Sequence, residues 1–280
     1  MSGEFLIPVF AEGEPFGLGA LATVVAVILL VVVAWYYIIL PLIVRPTLKF
    51  KKDPTIAPFD PDELVEPLLP ALEVFAHQHE SLRGLGFEFL TNFFISDATL
   101  SGRTIGEYWF HNEFRTICAV SYVYVVQNNA IVAPSMLISF ATRFSNDTLI
   151  VTNNASDPGL FPEEPKAYTY SMSWEESVEK LNQFHQAACA QIVPATRSNR
   201  LDNEFSGDVF EAHKAGIRAS NEYSVDVGYL RPEPGDYYVA TIRGAYLMTW
   251  KLLRPFKQIR LWMMKVKVRR KMTELGLHDF

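Results

Sequence analysis

A long, unbroken apolar stretch near the N-terminus dominates the hydrophobic pattern of the chain. Residues 17–44 contain no charged side chain in 28 positions. About 20 apolar residues are enough for a helix to cross a bilayer, so this stretch predicts a single transmembrane helix. The aromatic residues at 35–37 are typical of the membrane–water boundary, which places the hydrocarbon span near 17–38. Pro41 is expected to bend or end the helix.

Basic residues are distributed unevenly around this predicted anchor. The first 44 residues contain no Lys or Arg, and the 1–16 segment carries three Glu. Four basic residues follow within 45–52. Because Lys and Arg are retained on the cytoplasmic side, we predict an inner-membrane protein with its short acidic N-terminus facing outward and its remaining mass in the cytoplasm. A cleaved signal peptide would need a basic start and a small-residue cleavage site, and neither is present.

After the anchor, the pattern predicts a linker, a helix and a series of strands. The linker at 45–60 is rich in Pro, and Asp60 with Pro61 is typical of a helix start. β-branched and aromatic residues then predict five strands, at 84–98, 105–113, 116–126, 134–144 and 148–152. Short polar turns between the later strands favour an antiparallel meander.

Helical periodicity returns in the second half of the chain. Ser173 begins a capping box for a helix that Pro194 is expected to stop. A further helix is predicted at 203–222, and a short strand at 237–242. Strands in series followed by helices predict an α+β fold. We expect an antiparallel sheet packed by one to three helices, within a domain at 61–242.

The charge distribution narrows the range of partners. Residues 53–242 carry 26 acidic and 11 basic side chains, whereas 243–271 carry 10 basic and no acidic ones. A nucleic-acid-binding domain usually shows a basic face, so we predict no nucleic-acid partner. Cys118 and Cys189 lie in apolar surroundings without a neighbouring cysteine, which indicates buried, reduced thiols.

The C-terminal segment, 243–280, combines basic residues with an apolar helical face. Pro255 is expected to divide it into a short piece and a longer helix. The apolar face consists of Leu252, Phe256, Ile259, Trp262, Met263 and Val266. A basic amphipathic helix with Trp and Met is typical of a membrane surface. Packing of the same helix against the acidic domain is the alternative interpretation.

Two groups of residues are therefore predicted at the membrane interface. The first group flanks the anchor and consists of Trp35, Tyr36, Tyr37, Arg45, Lys49, Lys51 and Lys52. The second group lies in the tail and consists of Arg254, Lys257, Arg260, Trp262, Lys265, Lys267, Arg269 and Arg270. Together they predict contact with a bilayer that carries anionic head groups.

Histidines supply the few candidate metal ligands. His77 and His79 lie on a predicted helix, where residues two apart point in different directions. His111 and Glu113 lie between predicted strands and form the other candidate pair, and His185 is interpreted as a satisfied polar residue of a helix. The chain has no phosphate-binding loop, nucleophile elbow or zinc-protease motif. The sequence therefore indicates no metal site, no cofactor and no catalytic residue.

Two stretches of the chain carry a recognisable pattern. They are FATRFSNDTLIVTNN at 140–154, followed by LFPEEP at 160–165, and RGAYLMTWKLLRPFKQIR at 243–260. Both resemble an uncharacterised family of single-pass, membrane-anchored bacterial proteins. That family has an Asp-Gly turn where this chain has Asp147-Thr148, without the glycine that readily adopts a positive φ. The resemblance implies an anchor, a small α+β domain and a basic tail, and it implies no activity.

These features predict an accessory, scaffold or binding module at the cytoplasmic face of the membrane. We expect it to act without catalysis and to have a protein partner in the membrane, because two basic segments enclose an acidic domain that lacks a recognisable reactive group. Two alternatives stay open. One is an enzyme that acts on a lipid or small molecule at the membrane surface, and the other is a structural subunit of a larger membrane complex.

Overall fold

The computed structural model describes residues 18–64, 68–97, 102–127, 130–157, 159–196 and 208–277. These residues form an α+β protein with an apolar N-terminal helix and a mixed sheet packed with helices. The predictions for the acidic segment 1–16, for the first part of the 203–222 helix and for the last three residues of the tail lie outside the described residues.

The apolar N-terminal segment forms one continuous helix. It consists of α1 (Leu18–Ala34), a π-helical turn (Trp35–Ile39) and α2 (Leu40–Val44). The helix therefore continues through Pro41, because a local π-helical adjustment accommodates a residue that cannot donate a backbone hydrogen bond. By length and composition, Leu21–Thr47 is suited to cross a membrane, and 6% of its most apolar window is buried.

The segment predicted as a linker contributes strands to two sheets. Within 45–60, β1 (Lys49–Lys51) joins a small three-stranded sheet and β2 (Ile56–Ala57) joins a larger one. The small sheet has the order β1, β10 (Tyr237–Ala240) and β9 (Leu230–Pro232), and its strands are antiparallel. The chain after the anchor is thus bound into the domain almost at once.

A larger sheet of seven strands forms the centre of the described domain. From β2 it continues, in spatial order, through β3 (Glu88–Ile95), β4 (Gly102–His111), β5 (Thr116–Gln127), β6 (Ala130–Arg143), β7 (Leu149–Asn153) and β8 (Ala167–Ser171). Strands β3 to β7 form the predicted antiparallel meander.

Strand β8 corrects the expectation of a purely antiparallel sheet. It pairs with β7 in parallel, with Leu149 opposite Ala167 and Asn153 opposite Ser171. Parallel neighbours require the chain to return to the end of the sheet from which it came. The chain between β7 and β8 makes that return, and no strand was predicted at the position of β8. The sheet is therefore mixed.

Two helices cover one side of the large sheet, here called the α3/α4 face. α3 (Leu69–Gly84) and α4 (Val178–Thr196) bury Phe75, Leu82, Leu181 and Phe184 against Ile138, Phe140 and Ile150. All of these side chains are at most 1% exposed. The spacing of seven residues in α3 and of three residues in α4 places these side chains on one side of each helix, the side that packs on the strands.

The boundaries of α4 differ from the prediction at both ends. The helix begins at Val178 and not at the expected capping box, because the Ser177 hydroxyl accepts a hydrogen bond from the Lys180 amide at 3.2 Å. Ser173 therefore lies before the helix. At the other end the helix runs to Thr196, so Pro194 lies in its last turn, where the missing N–H costs one hydrogen bond.

The opposite side of the sheet, here called the α5/α7 face, carries a smaller core. α5 (Val209–Asp226) begins at Asp208, whose carboxylate accepts hydrogen bonds from the next amides. Its Val209 packs against Phe93, Tyr108 and Ile117 of the sheet. This face meets fewer large side chains than the α3/α4 face, and it is completed by a helix from the C-terminal segment.

The C-terminal segment forms two helices, as predicted from Pro255. α6 (Ile242–Leu252) packs on the small sheet, and α7 (Phe256–Glu274) follows after the proline. α6 approaches the small sheet closely at Gly244, where a Cβ atom would lie 1.9 Å from the Tyr229 carbonyl oxygen. Near its end, α7 buries Val268 and Met272 in the main core beside β8.

Candidate functional site

The base of the anchor helix is hydrogen-bonded to α6. Pro41 has no N–H to offer to the carbonyl of Tyr37, four residues earlier. The indole nitrogen of Trp250 donates to this carbonyl at 2.9 Å, and the hydroxyl of Tyr246 donates to the next one, that of Ile38, at 2.8 Å. Side chains of α6 thus donate hydrogen bonds to two backbone carbonyls of the anchor that lie next to Pro41, in the π-helical turn.

Aromatic rings fix the corner between α6 and α7 beside the anchor. The ring of Phe256 stacks on Trp250 at 6.0 Å between centroids and meets Tyr37 edge-on at 5.9 Å. The Tyr37 hydroxyl also donates to the Arg254 carbonyl. A groove between Val32 and Val33 of the anchor and the corner shows that the corner extends alongside the apolar part of the helix.

One side of α7 is an apolar surface that the described protein leaves uncovered. We call it the exposed stripe, and it consists of Phe256, Ile259, Trp262, Met263 and Val266. These side chains are between 45% and 65% exposed. The spacing of three, three, one and three residues places them on one side of the helix, and the stripe begins at the aromatic contact with the anchor.

The opposite side of α7 packs on the domain through Val268 and Met272. The helix therefore has two apolar sides, one buried and one exposed. The sequence of this helix is consistent with two interpretations, a helix on the membrane or a helix on the domain. The structure shows the packing on the domain, and it leaves the predicted apolar face free for another contact.

The basic residues next to the anchor are bound to the domain. Lys49 forms an ion pair with Glu233 at 3.1 Å, Lys51 pairs with Asp97, and the Lys52 amine donates to the Glu233 carbonyl at 3.1 Å. In addition, the Arg45 guanidinium donates to the Ala240 carbonyl at 3.1 Å. These cations hold the domain against the anchor, and their contact with lipid stays a prediction.

The basic residues of the tail divide into two groups. Three of them reach toward the domain: Lys257 pairs with Asp157, Lys265 lies over the Trp174 ring, and Lys267 lies over the Tyr170 ring and pairs with Glu163. Arg254, Arg269 and Arg270 are exposed. Their contact with anionic head groups stays a prediction.

A cavity of about 560 Å³ lies on the α5/α7 face. We call it the amphipathic cavity, because apolar and charged side chains share its walls. Sheet residues Leu149 and Val151, Ile217 of α5 and Met264 of α7 supply apolar surface. The volume falls within the range of about 300–1,000 Å³ that is usual for small-molecule sites, and no sequence motif pointed to it.

Charged and polar groups converge on the same cavity. Arg260 lines it, and the Nε atom of this side chain is buried without a hydrogen-bond partner among the described residues. Lys251 lies near Arg260, and its amine donates to the carbonyls of Leu160 and Phe161, both at 2.8 Å. Burial, followed by the charge of Arg260, lowers the pKa of Lys251 to about 8.

A half-buried histidine forms part of the cavity wall. His213 of α5 is hydrogen-bonded through Nδ1 to the hydroxyl of Tyr108 in β4. Burial lowers the pKa of His213 to about 4 and raises the pKa of the Tyr108 hydroxyl. Because the imidazole is neutral at pH 7, it adds polarity to the wall without adding a charge.

The candidate metal ligands do not come together. Nε2 of His79 lies 2.9 Å from both carboxylate oxygens of Glu107, which is 5% exposed, whereas His77 is exposed. His111 is buried, and its Nδ1 accepts a hydrogen bond from the Phe114 amide. In the described part of the chain no three His, Cys, Asp or Glu side chains form a group that could hold a metal ion.

His185 belongs to a buried hydroxyl network on the α3/α4 face. Its two ring nitrogens lie 2.9 Å from the Thr142 hydroxyl and 3.1 Å from the Thr152 hydroxyl, and Thr142 is hydrogen-bonded to Thr116 at 2.8 Å. Cys189 lies 3.6 Å from Nε2 of the same ring. The prediction of a satisfied polar histidine is confirmed, and the network as a whole gave no local sequence signal.

Both cysteines are free and buried, as predicted. Burial raises the pKa of the Cys118 thiol well above its ordinary value, so this thiol is protonated and unreactive at pH 7. The fully buried Cys189 packs in the same core. Neither position points to a redox or nucleophilic role.

Comparison with protein-family models, with curated proteins and with solved structures returns no match. The family resemblance of the 140–165 and 243–260 stretches therefore stays a prediction. One detail of that resemblance can be compared with the geometry. The turn after β6 takes its positive φ, 64°, at Asp147, a residue type that tolerates this conformation, so the turn forms without the glycine.

Proposed function

We propose that this chain is a membrane-anchored binding module whose domain lies on the cytoplasmic surface of the bilayer. The observation that carries the proposal is the exposed stripe of α7. An uncovered apolar surface of this kind on a helix is typical of a contact with a membrane or a protein. The stripe begins at Phe256, whose ring contacts Tyr37 at the level of the interfacial aromatic residues of the anchor.

The position of the stripe favours lipid as its main contact. The corner at Leu253 and Arg254 borders Val32 and Val33, which belong to the proposed hydrocarbon span. A helix that starts at this corner therefore begins in the bilayer or at its surface. The exposed Arg269 lies near the far end of the stripe, where it can approach anionic head groups.

The rigid junction supports a module that works at a fixed distance from the membrane. Hydrogen bonds from Tyr246 and Trp250 hold α6 to the anchor, and ion pairs of Lys49 and Lys51 hold the first strand to the domain. The cytoplasmic orientation follows from the basic residues after the anchor. We further propose that a protein partner in the membrane meets this surface.

Fluorescence of a probe on the stripe tests the proposal. Met263→Cys is labelled with an environment-sensitive dye in the full chain, reconstituted into nanodiscs that contain phosphatidylglycerol. We expect a blue-shifted emission that spin-labelled lipids quench. Glu222→Cys on the exposed side of α5 is the control, and its probe is expected to report water. Equal, water-like spectra at both positions would overturn the membrane-surface assignment.

Accessibility of the same control cysteine tests the orientation. In intact cells, a membrane-impermeant maleimide should leave Glu222→Cys unlabelled until the membrane is opened. Cys118 and Cys189 are buried and do not compete for the reagent. Labelling before permeabilisation would place the domain outside.

A further inference from the structure

The amphipathic cavity lies behind the membrane-facing surface of α7. Its walls come from β7, β8, α5, α7 and the 159–164 loop. Met264 and Val268 of α7 face the cavity, whereas Met263 and Val266 belong to the exposed stripe. A single helix therefore separates the cavity from the proposed lipid contact.

The walls are apolar enough to hold a hydrocarbon chain. Leu149 and Val151 of β7 line the cavity on the sheet side, and Ile217 of α5 lies across from them. At Gly216, an added Cβ atom would have no heavy atom within 4 Å. This gap beside the helix backbone leaves space that a ligand can fill.

Arg260 supplies an unmatched polar group at the same place. Its buried Nε atom has no hydrogen-bond partner within the described residues. The Arg260 side chain as a whole is half-buried, but leaving this one donor atom buried and unpaired is costly, because the atom has given up water without a replacement. A ligand with an anionic oxygen would supply the missing acceptor, and a guanidinium is well suited to carboxylate and phosphate groups.

Carboxylates and cations share the cavity wall. Glu163 and Glu164 line the cavity, but Glu163 is an exposed residue 3.6 Å from the Lys267 amine, which it balances. Lys251 adds further positive charge close to Arg260, whose charge in turn contributes to the low pKa of this lysine. Glu164 is the remaining carboxylate of the wall, and the Arg260 Nε atom, which has no hydrogen-bond partner among the described residues, is the donor that a ligand can meet.

We propose that the amphipathic cavity binds a single-chain amphiphile with an anionic head, whose head group accepts a hydrogen bond from Arg260 and whose chain lies between the sheet and α5. The inference rests on the proposed function, because the adjacent cytoplasmic leaflet is the source of such a ligand. A fatty acid and a lysophospholipid with a free phosphate share this chemistry.

Photocrosslinking to the full chain in phosphatidylcholine nanodiscs tests the proposal. The probes are photoactivatable oleate, photoactivatable oleoyl lysophosphatidate and, as a neutral reference, photoactivatable monooleoylglycerol. Mass spectrometry of the products should locate saturable crosslinks on β7 and α5 for one or both anionic probes. The probe that saturates at the lower concentration identifies the head group, and excess unlabelled ligand should suppress the labelling.

Two variants with matched controls make the result specific. Gly216→Leu fills the cavity and should reduce crosslinking at least about tenfold, whereas Gly216→Ala adds one methyl group and should change it little. Arg260→Gln should weaken the binding of the anionic probes about tenfold, as expected for one lost charge-assisted hydrogen bond. It should leave labelling by the neutral probe unchanged. Arg231→Gln, at an exposed arginine of β9, is the charge control.

The outcomes separate this inference from the proposed function. Crosslinks confined to the exposed stripe and the anchor, or labelling that Gly216→Leu and unlabelled ligand leave unchanged, would overturn the cavity assignment. The Met263→Cys probe is measured in the same Gly216→Leu protein and serves as the test of folding and membrane contact. A lipid-like signal there, together with absent cavity crosslinks in the unmodified protein, would reject the ligand and keep the membrane module.

Discussion

The two faces of the large sheet are built from the same strands and end up with different properties. On the α3/α4 face, Phe140, Ile150 and Phe184 are fully buried, and the polar side chains among them are hydrogen-bonded. On the α5/α7 face, part of the space between β7, α5 and α7 is a cavity, and Arg260 has an unmatched donor. The difference supports the proposal that the second face binds a ligand, while the closely packed first face contributes more to stability.

Truncation of a core ring should show the largest difference between the faces. Phe140→Ala removes a fully buried ring and should lower the free energy of unfolding by about 3–5 kcal/mol. Ile217→Ala, beside the cavity, should cost less than about 2 kcal/mol, because part of its surroundings is already empty. Urea unfolding of the full chain in detergent measures both values, and equal losses would remove the proposed distinction.

Acid should weaken the α5/α7 face through His213. Burial lowers the pKa of this side chain from 6.5 to about 4, so the unfolded chain takes up its proton at a higher pH than the folded chain. The contribution of neutral His213 is thus fully present above pH 6.5 and is lost as the pH falls toward 4. The complete shift corresponds to roughly 3 kcal/mol.

Unfolding experiments between pH 7 and pH 4.5 check this expectation. His213→Phe should flatten the fall in stability over this range, whereas replacement of the exposed His77 by Phe should leave it as it is in the unmodified protein. If His213→Phe keeps the full pH dependence, another group is responsible.

Loss of one hydroxyl on the α3/α4 face should have a smaller effect. Thr142→Val keeps the shape of the side chain but removes the hydrogen bonds to Thr116 and His185. Because their partners stay buried, we expect a loss of about 1–3 kcal/mol in the free energy of unfolding. Thr169→Val, on the cavity wall, should change stability by less than about 0.5 kcal/mol. If Thr142→Val left the free energy of unfolding unchanged, the hydroxyl network would not contribute to stability.

The parts of the fold that follow from local pattern were predicted, and those that depend on distant contacts were not. The apolar run at 17–44 and the strands β3 to β7 are continuous in sequence, so their periodicity predicts them. Strand β8 has only five residues after a Pro-containing loop, and its parallel partner is decided by tertiary packing. The short β1 likewise looked like a linker because its partner lies about 190 residues further along the chain.

The candidate site shows the same limit. The residues of the exposed stripe share a helical face that the sequence displays, and the structure shows that this face is uncovered. The amphipathic cavity has no such signature, because it is a gap between β7, α5 and α7 that depends on how they pack. Arg260 was predicted at the membrane interface from its charge, and its unmatched donor became visible only in the folded chain.

The short distance between the anchor and β1 limits the reach of the protein. The membrane-suited helix ends at Thr47 and the first strand begins at Lys49, with Arg45 bonded to Ala240 across the junction. Such a short, hydrogen-bonded connection holds the domain close to the helix, whereas a long flexible linker would let the domain reach a larger volume. In the proposed membrane module, the domain therefore stays close to the bilayer surface, and a membrane-bound partner would meet it by diffusion in the plane of the membrane.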